Sequence, residues 1–368
     1  MNKKRIFRLG VLTGGGDCPG LNAAVRAITK SALNDFRWRV FGIEDGFEGL
    51  VEGRMHELMN ADVSGIINLG GTILGTSSRG DPWHYPVETA RGRTRIADVS
   101  GRALGHFREA KLDALIAIGG DGTMNIALKF AKLGVPVVGV PKTIDNDLAA
   151  TDITFGHDTA VSIAAEAIDR LHTTASSHHR VMVIEVMGRY AGWIALTAGL
   201  AGGADIILIP EIPFRWKPVF RKVRERNTQG KRFSIVCVAE GVRCPGVGVI
   251  IKGYDRKRTD PKQLGGVGAY VARKIALGAR VETRVTVLGH LQRGGGPTAF
   301  DRNLATKFGV AATRAVHDGK FGTMVALRGS EIIPVPLEKA VARLKLVPPD
   351  HPLLMAARSV GTSFGDER

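Results

Sequence analysis

The stretch Leu112–Asp147, LDALIAIGGDGTMNIALKFAKLGVPVVGVPKTIDND, decides the fold. Leu112 to Ile118 is a buried-looking run of strand length, apolar but for Asp113 near its start; a glycine loop follows it, and apolar residues then recur at helical spacing through about Leu133. Val135 to Val140 forms a second continuous apolar strand. A strand with one wet face would alternate in polarity. Continuously apolar strands joined by a helix instead predict a parallel sheet whose faces are both covered by crossover helices.

The same pattern extends in both directions. Upstream, a strand near Ile6 to Leu12 enters the loop TGGGDCPG (13–20) and then a helix from about Leu21 to Leu33, with Asp17 as candidate cap and Pro19 at its approach. Downstream, strands are expected at about Val181 to Val186, Asp205 to Ile209 and Phe233 to Ala239. Helices are expected at about Ala160 to Leu171, Ala191 to Ala201 and Lys217 to Asn227. The polar stretch DPWHYPVETARGRTR (81–95) reads as an excursion before a helix ending near Glu109, and residues 241–268 as a loop or hairpin insertion. The expected fold class is α/β: two doubly wound layers around a shared cleft, with a boundary near residue 155.

Composition sets the limits. With 368 residues, 44% hydrophobic and 23% charged, the chain fills a globular core and is not disordered, and its 47 glycines indicate many tight turns. A formal charge of +16 attracts anions, which leaves nucleic acid, an acidic membrane or small phosphorylated substrates. The densest basic runs, Asn2 to Arg5 with Arg8 and Arg215 to Arg232, contain only Phe7, Trp216 and Phe220 and lack the aromatic interleaving expected of a stacking platform, so no nucleic acid partner is expected. No apolar stretch approaches the about 20 residues needed to span a bilayer, and the opening MNKKRIFRLGVLTGGG lacks a signal-peptide core. No membrane partner is expected, and the cytoplasm is the expected location. Cys18, Cys237 and Cys244 are too few and too irregular for a disulfide framework or a zinc cluster. Cys18 reads as a small neutral side chain beside a ligand rather than as a nucleophile.

Loops leaving the carboxyl ends of parallel strands form the usual ligand crevice of such sheets. TGGGD (13–17) and GGDGT (119–123) could each wrap phosphate with backbone N–H groups, although neither is a complete dinucleotide or Walker motif. In PKTIDND (141–147), Asp145 and Asp147 lie two apart and point the same way if the segment is extended. Lys142, Thr143, Asn146 and Asp121 add a cation, a hydroxyl, an amide and a third carboxylate. Together they form a phosphoryl-transfer kit of metal ligand, base and anion donors. Arg180, Met187, Gly188, Arg189 and Tyr190 flank another predicted strand, and Arg284, His290 and Arg293 a third segment. Arginine forks suit a phosphomonoester. Glu185 reads as a structural carboxylate, and Glu240, at a strand exit, as a receiver of sugar hydroxyls.

From GVLTGGGDCPGLNAAVR (10–26) through GGDGT, PKTIDND, FGHDTA (155–160), EVMGRYAGW (185–193) and TVLGHLQRGG (286–295) to GTSFGD (361–366), the chain resembles the 6-phosphofructokinases over nearly its whole length. The resemblance implies two Rossmann-like three-layer domains with mostly parallel sheets and a cleft between them. Residues 1–156 with about 292–342 would bind donor phosphate and Mg2+; residues 157–291 with about 343–368 would bind fructose 6-phosphate. Asp145 would accept the proton of the sugar's 1-hydroxyl, Asp121 would organise the metal, and Asp147 and Thr143 would support orientation and transfer. Gly15, Gly16, Arg79, Gly119, Gly120, Gly122, Thr123 and Lys142 would surround the donor. Met187, Gly188, Arg189 and Glu240 would surround the sugar, and His290 and Arg293 would hold its 6-phosphate. Arg180 and Arg284 resemble arginines that reach the pocket from a neighbouring subunit, which implies self-association as a homotetramer or homodimer with shared active sites.

The donor is the sharper question. Glycine at the position of Gly122 accompanies ATP in the resembled family and aspartate accompanies pyrophosphate, because a carboxylate would crowd and repel the nucleotide's α-phosphate. Lys142 points the other way, resembling a residue that pairs with pyrophosphate. Arg79, in GGTILGTSSRGDP (70–82), is displaced by one residue from the family's donor-contacting arginine. ATP is the expected donor and pyrophosphate the alternative. A non-catalytic sugar-phosphate-binding regulator would require a degenerate kit, and none of the central acidic residues is missing.

Overall fold

In the computed structural model, which describes residues 6–88, 92, 94–255 and 261–367, the strand Ala114–Gly119 shows why the deciding stretch is apolar throughout. Ala114, Ile116 and Ile118 pack into one core with Leu21, Val25, Ile28 and Phe308, whereas Leu115 and Ala117 pack into another with Phe107, Met124 and Phe130. Both faces are therefore dry. Each buried Leu or Ile contributes roughly 1.5–3 kcal/mol, and no position on the strand has water to face.

This strand is central in a seven-stranded sheet running Glu331–Pro336, Thr323–Arg328, Val137–Pro141, Ala114–Gly119, Arg8–Thr13, Arg39–Ile43 and Met55–Leu58 from edge to edge. The five inner strands are parallel and the two outermost antiparallel. A second sheet, Thr283–Val287, Val181–Val186, Ser234–Ala239 and Ile206–Leu208, is parallel throughout. The first of the two cores above continues into this sheet through Met182, Ile184 and Val186 and the helix His157–His178, so the two layers share apolar packing.

The expected elements appear with shifted ends. The helix expected from Ala160 to Leu171 spans His157–His178, and the first helix, Leu21–Phe36, starts after left-handed Gly20 with no side-chain cap, so Asp17 does not cap it. The 81–95 excursion is a hairpin of Tyr85–Glu88 with Thr94–Ala97, leading to the helix Ser100–Glu109. The 241–268 insertion contains two small hairpins. The basic run Asn2 to Arg5 and residues 89–91, 93 and 256–260 of the two insertions lie outside the described residues. Among the described residues no helix is long and apolar enough to cross a membrane.

Register then positions the site. Thr13 lies opposite Ile118 and Gly119 opposite Pro141, so TGGGD, GGDGT and PKTIDND leave three adjacent inner strands at the carboxyl end of the sheet. In the second sheet Ala239 pairs with Val186, placing Glu240 beside Met187 to Arg189.

Candidate active site

Asp121 is the first residue of the helix Asp121–Lys132, after the extended N-cap Gly120, with Gly122 and Thr123 completing the first turn. A carboxylate there is favoured by the helix dipole. Its oxygen Oδ1 accepts a hydrogen bond from Asn125 Nδ2 at 3.2 Å. Thr123 is buried beneath Gly119, where a Cβ would fall 2.3 Å from the threonine's own, so only glycine lets the strand end meet the helix. The N–H groups of Gly14 and Gly15 are taken by the carbonyls of Ile118 (2.8 Å) and Ser77 (3.2 Å). In this first loop, glycine at these two positions gives close backbone approach and not free donors.

Asp145 and Asp147 do not sit on an extended segment. Ile144 and Asp145 form a turn, and Asn146 between the carboxylates is left-handed at φ 52°. The reversal still brings the acids together. Thr143 Oγ1 accepts from the Asp145 N–H at 3.0 Å while its hydroxyl bonds to Asp147. Burial, then Asp145, then Asp121 push the Asp147 carboxyl up to about 7. Burial also raises Asp145, against the opposing pull of Arg293, Arg189 and Lys142, and it raises Asp121 against the Asn125 hydrogen bond.

Lys142 is buried, its ammonium donating to the Gly16 carbonyl, and burial lowers its pKa. A side chain at Gly15 would begin 3.8 Å from that ammonium. Arg293 Nη1 donates to the Asp17 carbonyl at 2.9 Å, and its guanidinium covers Gly16 so closely that a Cβ there would lie 2.6 Å away. Arg293 thus stands against the first glycine loop and acts on Asp145, whereas His290, in the same short 3-10 turn, is exposed. From the second sheet, Arg189 is left-handed at φ 47°, its N–H donating to Glu240 Oε1 at 3.1 Å, just after Gly188 and the partly buried Met187. Burial and then Asp145 push Glu240 up to about 7, so Glu240 feels the charge of the turn on the first sheet.

Three arginines stand elsewhere. Arg180 and Arg284 both pair with Glu282, Arg180 at 2.9 Å, at the amino ends of their strands. The six-residue strand Val181–Val186, about 20 Å long, separates Arg180 from Met187 and Arg189. Arg79 extends to Asp255 of the insertion, Nη2 to Oδ2 3.0 Å. Glu185 is structural, accepting the N–H groups of Gly266 and Gly268 at the start of the helix Val267–Ile275. Cys18 is fully buried and its thiol is pushed up to about 12 by burial, which leaves it no nucleophilic role.

The donor set fits a hard divalent cation. Asp145 Oδ1 is buried with no hydrogen-bond partner among the described residues, and Asp145 and Asp121 both raise the proton affinity of Asp147. No group of three His, Cys, Asp or Glu among the described residues closes into a cation cage. That suits Mg2+, which is typically held by one or two carboxylates plus substrate phosphates. The residues that sequence reasoning missed are Lys345 and Thr154, both bonded to the Asn146 amide. Nothing in their local sequence marks them.

Comparison with known proteins agrees with this geometry. Residues 8–316 match the family model described as Phosphofructokinase. The chain is 53% identical to the ATP-dependent 6-phosphofructokinase of Chloroflexus aurantiacus over 98% of both chains. It is 52% identical to the pyrophosphate--fructose 6-phosphate 1-phosphotransferase of Amycolatopsis methanolica over 94% of this chain and 97% of that protein. The T-state phosphofructokinase of Pichia pastoris superposes with a TM-score of 0.79 at 32% identity; it covers 93% of this chain, which spans only 36% of that longer subunit. The chain belongs to the phosphofructokinase family.

Proposed function

We propose that the protein is an ATP-dependent 6-phosphofructokinase acting in glycolysis in the cytoplasm, transferring the γ-phosphoryl group of ATP to the 1-hydroxyl of fructose 6-phosphate. The observation that carries this is the convergence of Asp121, Asp145 and Asp147 at the carboxyl end of the first sheet, opposite Arg189 and Glu240. Asp145 accepts the 1-hydroxyl proton as the sugar oxygen bonds to the γ-phosphorus and the bond to ADP breaks. Burial, by raising its pKa, makes it a better base than a solvated aspartate. Thr143 fixes the turn, Lys142 brings positive charge to the transferring group, and Arg189 and Glu240 orient the sugar. Mg2+ would be held by Asp121, with Asp147 beside it, and would neutralise developing charge on the donor phosphates. His290 and Arg293 receive the 6-phosphate. We assign residues 1–156 with about 292–342 to the donor side and 157–291 with about 343–368 to the sugar side. Arg180 and Arg284, at the far ends of their strands, fit a role in a neighbouring subunit's pocket and hence a homo-oligomer.

A second reading, pyrophosphate as donor, is favoured by the buried Lys142 ammonium beside Gly15 and Gly16. Purified protein supplied with fructose 6-phosphate and Mg2+ is expected to form fructose 1,6-bisphosphate with a higher kcat/KM for ATP than for pyrophosphate. The reverse order assigns the donor pocket to Lys142, and no product with either donor rejects both readings.

The acids also set a pH dependence. Asp147 and Glu240 are raised to about 7 in the ligand-free protein, so both are ionised above that pH and neutral below it. The value of kcat/KM for fructose 6-phosphate is expected to fall as pH drops through about 7, with an apparent midpoint belonging to the coupled set. Raising Mg2+ is expected to move this acid limb to lower pH, because a cation favours the carboxylate form. An acid limb indifferent to Mg2+ would remove Asp147 from the metal network.

A further inference from the structure

The segment from Leu344 to Val347 passes between the two sheets and touches both halves of the site. Leu344 forms an antiparallel bridge with Leu148, and the Lys345 N–H donates to the Asp147 carbonyl at 2.7 Å. The Lys345 side chain folds under the catalytic turn. Its ammonium donates to Asn146 Oδ1 at 3.2 Å, to the Thr151 carbonyl at 3.1 Å and to the Asp152 carbonyl, three acceptors for three N–H groups. On the other side, Trp193 Nε1 donates to the Lys345 carbonyl at 2.8 Å and its ring lies 5.3 Å from the ammonium. Glu211 Oε1 accepts from both Val347 (3.0 Å) and Gly192 (2.9 Å), three residues beyond Arg189.

Asn146 is where this clamp bears on chemistry. Its left-handed backbone, which asparagine adopts more readily than most residues with a Cβ, produces the reversal that brings Asp145 and Asp147 to one side. Its side-chain oxygen is held by Thr154 and Lys345, while His157 on the Ile144 carbonyl and the Lys345 N–H on the Asp147 carbonyl hold the backbone on either side. We propose that Lys345 is a positioning residue for phosphoryl transfer: it locks the Asn146 amide, and so the aim of Asp145 and Asp147, without touching either substrate.

The test is a double-mutant cycle on kcat. Lys345→Met keeps most of the stem and removes the ammonium, while Asn146→Gly tolerates the left-handed backbone and removes the amide. Each is expected to lower kcat by roughly 10- to 100-fold, the scale on which a displacement of about 1 Å is felt, with KM for fructose 6-phosphate and ATP within about threefold of wild type. The double variant is expected to be no worse than the poorer single, because both changes break one link. Additive losses, a KM effect without a kcat effect, or a Lys345→Met kcat within about threefold of wild type would overturn the proposal. Should Lys345→Met fail to fold, Asn146→Gly with native melting decides: at least a tenfold kcat loss supports the clamp, and unchanged kcat rejects it. The inference rests on Asp145 as the base. If that assignment fails, Asp145→Asn retains turnover; if only the clamp fails, Asp145→Asn is inactive while the Lys345 and Asn146 variants work normally.

Discussion

An Asp145→Asn variant is expected to fold, to bind fructose 6-phosphate with KM within a few-fold of wild type, and to lose roughly 10^3-fold in kcat, in the middle of the range for a positioned general base. The amide has nearly the carboxylate's shape, and the Asp145 contact that shapes the turn is its backbone N–H to Thr143, which the substitution leaves intact. What it cannot do is take a proton. Stability is expected to move in the opposite direction from activity. Asp145 has a raised pKa in the fold, so the ligand-free protein binds that proton more tightly than the unfolded chain does. Stability is therefore greatest below the unfolded pKa and is lost as pH rises through the folded one. The amide carries no such penalty, so at pH 8 the variant is expected to melt above wild type, with the gap closing as pH falls. Asp145 is also one of the charges that lift Asp147, so residual activity is expected to have its acid limb at lower pH. Turnover within tenfold of wild type would sink the base assignment; lower turnover with a lower melting temperature at pH 8 would mean that the turn collapsed and the loss was structural.

Much of this architecture was legible in the chain. The inner parallel strands are buried on both faces, so their apolar runs leave one interpretation, and the loops at their carboxyl ends hold the residues of the proposed site. Edge strands gave no such signal. Met55–Leu58 is only partly buried, and Glu331–Pro336 carries two prolines, which a ladder accepts only where the missing N–H is not needed. Asp145 and Asp147 were placed on one side by the wrong route, through an extended segment instead of a left-handed Asn146. The contacts that stabilise that conformation come from Thr154 and from Lys345, the latter 199 residues away. Local pattern cannot carry information of that range. The Arg79 contact with Asp255 is hidden for the same reason.

Under the proposed function Gly122, in the first turn of its helix, discriminates between donors, and a Gly122→Asp variant is expected to lose roughly 10^3-fold in kcat/KM for ATP while its melting temperature stays near wild type. Gly122 is the second residue of the helix Asp121–Lys132 and only partly buried. An acid there is favoured by the helix dipole, so the substitution does not threaten the fold. The added charge acts on the ligand. Two unit charges about 4 Å apart at an effective dielectric near 20 repel by about 4 kcal/mol, which is about three decades in rate. That repulsion falls on the α-phosphate of a nucleotide; pyrophosphate carries neither an α-phosphate nor a nucleoside in that position. Lys142, held between Gly16 and Asp145, remains to meet a phosphate oxygen in either case. The expected signature is thus a change of ratio, with kcat/KM for pyrophosphate falling far less than for ATP or rising. Equal losses with both donors would mean that the new carboxylate acts on something they share, such as the metal beside Asp121, and Gly122 would lose its role as the discriminating position.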